Sequence, residues 1–171
     1  MQRSAPSSPP PEWVRRRTPA DLAACTWLLA EVHRADAYPS PWPEDPVAWL
    51  ARPDLAGAWV VELESAVAGH VALTRSGLVT RLMVAPWARR HGLAVRLLGV
   101  AVARADALAL RPSLQVVDTR IAAIALYEAA GWSCTGACVD VRGRRLLRYA
   151  ASARSPSAPA SSPRDEIPSL R

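Results

Sequence analysis

Between residues 58 and 108 the apolar pattern changes period once, with no linker in between. Residues 58–63, 66–74 and 78–84 alternate as strands do, with Glu64-Ser65 and Ser76-Gly77 supplying turns. Sequential strands joined by tight turns make an antiparallel meander. The next stretch, "GLAVRLLGVAVARADAL", carries a helical repeat from Gly92 to about Leu108. Strand passes to helix through "APWARRHGLAVRLL", which sets Arg89, Arg90 and His91 at a helix start. Cations suit the opposite end of a helix. An anion seated at that start would remove the conflict.

Around this unit the pattern is also legible. Trp13 to Arg16 reads as a short strand. Thr18 then caps a helix with Pro19 at its first position, running to about His33. A Pro-punctuated link, "DAYPSPWPEDP", leads to a short helix at 46–51 capped by Asp45. "PSLQVVD" is a strand, and "TRIAAIALYEAAG" is a helix closed by Gly131, with Asp118 as a candidate cap. "WSCTGACVDV" and "RRLLRYA" form a last hairpin turning at "RGR". The order is β-α-α-β-β-β-α-β-α-β-β: an α/β domain with a mixed, mostly antiparallel sheet flanked by helices.

The 171 residues suit one domain, expected over 12–150. Residues 1–11 and 151–171 are Ser/Pro-rich and aperiodic, and read as disordered tails. All 21 basic residues are arginine, and the net charge is +6. Outside the tails 17 arginines stand against 13 acids, spread without a dense cluster. That is poor support for a nucleic-acid surface, which would gather its cations into a stripe. No signal-peptide core follows Arg3. Arg96, Arg104 and Asp106 interrupt the longest apolar helix, so no membrane span is expected. Cys25, Cys134 and Cys138 are odd in number and lack a CxxC pair, which fits a reducing compartment without disulfides or structural metal. The expectation is a cytoplasmic protein without metal; a homodimer stays open.

Two segments together resemble the GNAT (GCN5-related N-acetyltransferase) family. "RRHGLA" at 89–94 is similar to its Arg/Gln-x-x-Gly-x-Gly/Ala signature, and "AIALYEAAGW" at 123–132 to its Ala-x-x-Leu-Tyr-Glu-x-x-Gly-aromatic segment. The strand "TRLMVAP" before the first also looks like that family, and the element order agrees from about Trp13 to Tyr149. The resemblance implies an acetyl-CoA-dependent N-acetyltransferase acting on a small-molecule or peptide amine. A non-catalytic acyl-CoA-binding or regulatory module on the same fold is the alternative.

The resemblance also implies site residues. Arg89, Arg90, His91, Gly92, Leu93, Ala94 and Val95 would hold the pyrophosphate of acetyl-CoA. Gly92 and Ala94 are small enough for close approach, and amides at the helix start point outward. His91 would take part through its backbone. Free backbone at Leu82, Met83 and Val84 would pair with the pantetheine arm. Taken without the resemblance, Arg89, Arg90 and His91 make a solvated charged turn. Tyr127 would protonate the departing thiolate; by its residue type alone it is a packed boundary ring. Arg90 stands where the family commonly has Gly, and Arg120 where it usually has Asn.

No general base stands out. Many relatives have a Glu where this chain offers Leu78, Thr80 and Gly99. His70, Glu62, Glu64 and a water path are the remaining routes, and His70 also reads as a hydrogen-bonded strand histidine. On the acceptor side, Tyr38, Trp42, Glu44 and Asp45 are candidates to hold a cationic amine, with a solvated loop as the plain alternative.

Overall fold

A computed structural model describes residues 14–152 of the chain. Most of the expected tails, and Glu12 and Trp13, lie outside the described residues. The elements in order are β1 (Val14–Arg16), α1 (Leu22–Asp36), α2 (Pro46–Leu50), β2 (Leu55–Leu63), β3 (Ala66–Thr74), β4 (Val79–Val84), α3 (Leu93–Ala107), β5 (Ser113–Val117), α4 (Ile121–Ala129), β6 (Trp132–Val139) and β7 (Arg145–Ala151). This is the expected order. A short 3-10 turn, Pro19–Asp21, precedes α1. Thr18 is its N-cap, and the Asp21 carboxylate accepts from the Thr18 backbone N–H at 2.6 Å and from its hydroxyl at 2.9 Å. Asp45 caps α2 through the Ala48 N–H, at 2.9 Å. The capping expected of Asp118 does not occur. The N-cap position of α4 is Arg120, and the Asp118 carboxylate instead faces Arg145 at 3.7 Å.

The meander forms an antiparallel sheet in the order β1-β2-β3-β4. Every residue of β3 from Ala68 to Thr74 is buried. Strand side chains alternate between faces, so both faces of this sheet are covered. Helices α1 and α3 both pack on β3. On α3, Leu93, Leu97, Leu98, Ala101 and Ala105 are buried at helical spacing. Leu97 sits over Gly69, where an added Cβ would meet Leu97 Cδ1 at 2.9 Å and the Met83 carbonyl at 3.0 Å. That close approach requires glycine, and it fixes how deep α3 sits. Burial of a leucine such as Leu97 contributes about 2 kcal/mol.

The other strands form a second antiparallel sheet, β5-β7-β6. β7 continues through Ala151, paired with Trp132, one residue past the expected boundary at 150. Among the described residues the two sheets meet at one parallel bridge, Leu78 with Ser113, beside the bond from Ser113 N–H to the Gly77 carbonyl at 3.0 Å. Past that bridge β4 and β5 part. Among the described residues, one edge of β4 is thus left without a strand partner beyond that bridge.

β4 is also irregular on its paired side. His70 pairs with Met83 and Ala72 with Thr80, so Arg81 and Leu82 together oppose Val71. This is a β-bulge, and Arg81 takes a left-handed φ of 54° in it.

Candidate active site

The parting of β4 from β5 opens a cleft of about 1040 Å³. Its walls are β4, β5, α4 and the link between α1 and α2. Leu82, Met83 and Val84, the strand residues singled out in the sequence, line it along the unpartnered edge of β4.

Beyond Val84 lies a smaller pocket of about 270 Å³ at the start of α3. Arg89, Arg90, Gly92, Leu93, Ala94 and Val95 line it, together with Leu126 of α4. The first backbone bond of α3 runs from Arg96 N–H to the Gly92 carbonyl, and no side chain caps the helix. The amides of Leu93, Ala94 and Val95 therefore lack helical acceptors. Gly92 has a φ of 73° and nothing within 4 Å of an added Cβ, so the helix start is open. Arg90 also adopts a left-handed φ, 67°, which explains why glycine is the usual residue there. Its guanidinium has no hydrogen bond among the described residues. Arg89 is engaged: its Nη2 bonds the Asp36 carboxylate at 2.5 Å. The His91 side chain lies outside this lining and bonds the Ala88 carbonyl at 3.2 Å through Nδ1.

Tyr127 lines the main cleft from α4. Its ring is tilted against Trp132 and Tyr149, with centroids 6.5 and 6.3 Å away. The neighbouring Glu128 accepts from the Tyr149 hydroxyl at 2.9 Å, tying α4 to β7. Burial pushes the Tyr127 phenol above its ordinary pKa, and the nearby Tyr38 phenol adds to the shift. The group stays protonated at neutral pH and can donate. No hydrogen bond from its hydroxyl to a described residue occupies that proton.

The candidate bases lie elsewhere. His70 is fully buried and doubly bonded: Arg17 Nη1 donates to Nε2 at 3.0 Å, and Nδ1 donates to the Arg81 carbonyl at 2.9 Å. Burial lowers its pKa to about 4. It is a neutral structural histidine with no lone pair left for catalysis. Glu62 accepts from Arg15 Nε at 2.9 Å at the β1–β2 side of the sheet, and Glu64 occupies the β2–β3 turn. Neither lines the cleft.

The proposed acceptor group is not brought together. Tyr38 lines the cleft beside Trp49, ring edge to face at 6.2 Å. Trp42 instead meets His33 edge-on at 5.1 Å, Asp45 is used as a cap, and Glu44 is exposed. None of these three lines the cleft. Proline-rich spacing cannot tell which side chains of a link turn inward.

Arginines take that place. Arg120 donates to the carbonyls of Asp36 and, at 3.0 Å, Ala37. Arg144 donates to the Ser40 carbonyl at 3.1 Å. Arg81 Nε donates to the Trp49 carbonyl at 2.6 Å. Together they clamp the α1–α2 segment as a wall of the cleft. Sequence reasoning missed Arg81; a charge inside the apolar strand "LVTRLMV" was the available signal, since such a residue needs a buried partner.

A sequence model of the acetyltransferase (GNAT) family matches residues 22–132, more than half of the chain. The fold is similar to that of a ribosomal-protein-alanine N-acetyltransferase from Brucella melitensis, at 22% identity and a TM-score of 0.67, covering 81% of this chain and 98% of that one. It is also similar to a protein from Salmonella typhimurium determined with its cofactor acetyl-CoA (20%, 0.66, 88% and 99%) and to an acetyltransferase of the GNAT family from Streptococcus pneumoniae (20%, 0.64, 81% and 96%). No curated protein matches the sequence. At these identities the structural likeness speaks to the fold alone.

Proposed function

We propose that this chain, which belongs to the acetyltransferase (GNAT) family, moves an acetyl group from acetyl-CoA to a primary amine by direct attack of the amine nitrogen. The observation that carries this reading is the uncapped start of α3, which opens into a pocket continuous in direction with the unpartnered edge of β4. Three amides without helical acceptors, the positive helix end and an Arg90 guanidinium without a hydrogen bond among the described residues suit a diphosphate. The free edge of β4 suits an amide-bearing arm.

Acetyl-CoA supplies an activated acyl carbon, and the chain supplies the rest. Val84, Gly92, Leu93, Ala94 and Val95 hold the donor through backbone groups. Backbone groups of β4 near its bulge polarise the reacting carbonyl. Tyr127 gives its phenolic proton to the sulfur as the C–S bond breaks and the N–C bond forms, and it regains a proton from solvent. The amine loses its own proton to solvent, since the one acid among the described residues lining the cleft, Asp36, is paired with Arg89.

The test is thiol release from acetyl-CoA in the presence of an amine panel. Acceptor-dependent release is expected. Tight acetyl-CoA binding with no release for any amine favours a non-catalytic acyl-CoA-binding module instead.

A further inference from the structure

We propose that Arg81 forms an anion-recognition subsite at the acceptor end of the cleft, so that the acceptor is a small amine carrying an oxyanion, a carboxylate or phosphonate, beside its nucleophilic nitrogen. This rests on the acetyl-transfer reading above.

Arg81 is 5% exposed and lines the cleft. Its Nε bonds the Trp49 carbonyl, Nη1 lies 3.3 Å from Thr80 Oγ1, and the guanidinium stacks 4.2 Å from the Trp49 ring centroid. Among the described residues Nη2 has no hydrogen-bond partner and is not fully sealed. No carboxylate among the described residues forms an ion pair with Arg81. Asp54, the acid near it, is held by Arg52, with 2.8 Å from Nε to Oδ1. A guanidinium keeps its charge when buried, and burying it without a counter-charge is costly. An oxyanion brought by the ligand offsets that cost, and the planar fork binds it with direction as well as charge.

Position separates this group from the donor's phosphates. Arg81 precedes Val84 by three residues, roughly 10 Å along a strand. The α3 start lies beyond Val84. Arg81 thus lines the cleft on the side of Val84 away from the α3 start. Charge balance points the same way. The cleft is lined by Arg81, Arg89, Arg120 and Arg144 against Asp36, which Arg89 already holds. A purely cationic acceptor would meet this field as repulsion. Tyr38 and Trp49 wall the subsite, which favours a compact ligand.

The experiment compares matched acceptors by thiol release: L-amino acids against their carboxamides, and aminoalkylphosphonates against alkylamines of equal length. The anion-bearing member is expected to be preferred by about tenfold or more in kcat/KM. In Arg81→Gln its KM should rise roughly 10- to 100-fold, as for loss of a charged hydrogen bond. Acetyl-CoA affinity should change little, the loss should be far smaller for the uncharged member of each pair, and Arg81→Lys should restore only part of the preference. Because Arg81 also braces α2, calorimetric binding of the same pairs to wild-type protein saturated with CoA gives a reading that needs no variant. Equal or tighter binding of the uncharged members overturns the proposal. So does an equal fall in kcat for every acceptor in Arg81→Gln, which would assign Arg81 to the reacting carbonyl. Preferential binding of the anionic members without any thiol release would keep the subsite and overturn acetyl transfer.

Discussion

His70 and Arg81 are joined by a hydrogen bond of 2.9 Å from the imidazole Nδ1 to the Arg81 carbonyl. That carbonyl belongs to the residue where β4 bulges and takes a φ of 54°. The bond holds the strand irregularity in place from the neighbouring strand. It also explains why a histidine in the sheet serves position rather than proton transfer: both ring nitrogens are occupied, and Arg17 and Arg81 surround the ring with positive charge.

A pH prediction follows from this geometry. Burial lowers the folded pKa of His70 to about 4, below an unfolded value of about 6.5. The neutral ring is the form that the fold favours. Its contribution is fully present above pH ~6.5 and is lost as pH falls toward 4, on the order of 3 kcal/mol in all. Urea unfolding of wild type should therefore weaken across that window, and His70→Gln should weaken less steeply across it. Identical pH slopes in both proteins would contradict the assignment of His70.

Arg90 occupies a conformation that suits glycine. The left-handed region costs a non-glycine residue about 1–2 kcal/mol, offset in part by the greater unfolded freedom of glycine. Arg90→Gly should gain about 0.5 kcal/mol of stability while weakening acetyl-CoA binding through the lost charge. Denaturant unfolding beside calorimetry of acetyl-CoA binding checks both directions, and lower stability in Arg90→Gly would count against the strain.

At Gly92 an added side chain has open space, but its carboxylate would enter the pocket proposed for the diphosphate. Gly92→Glu should remain folded, at a cost of about 1 kcal/mol for its positive φ, and lose acetyl-CoA binding. Unchanged affinity in a folded Gly92→Glu protein would remove the α3 start from the site.

A chain trimmed to residues 12–152 is expected to keep its melting temperature and its acetyl-CoA affinity. Ending it at 150 should cost stability, because Ala151 N–H bonds the Pro112 carbonyl at 3.2 Å and Ser152 Oγ bonds the Gly131 carbonyl at 2.7 Å. Thermal melts of the two lengths decide this, with equal melting as the contrary result.

The element order was legible because strands and helices here differ cleanly in apolar period and are separated by Gly, Ser and Pro. The loop at 89–95 was legible for a local reason: cations and small residues meet at a helix start. What the sequence hid is non-local. The parting of β4 from β5 depends on one bridge, Leu78 with Ser113, which no local pattern encodes. The buried role of Arg81 depends on Trp49, 32 residues earlier in the chain, so its charge reads as an ordinary strand arginine. Asp45 showed its cap through spacing, whereas Trp42 and Glu44 gave no sign of facing away from the cleft.

The most direct test of acetyl transfer through Tyr127 is steady-state thiol release by wild type beside Tyr127→Phe with a competent amine. Removing the hydroxyl keeps the ring contacts with Trp132 and Tyr149, so the fold should survive and acetyl-CoA affinity should hardly change. If the phenol protonates the leaving sulfur, turnover should fall about 10²-fold or more. Equal rates in the two proteins would contradict the mechanism and leave Tyr127 a packing residue.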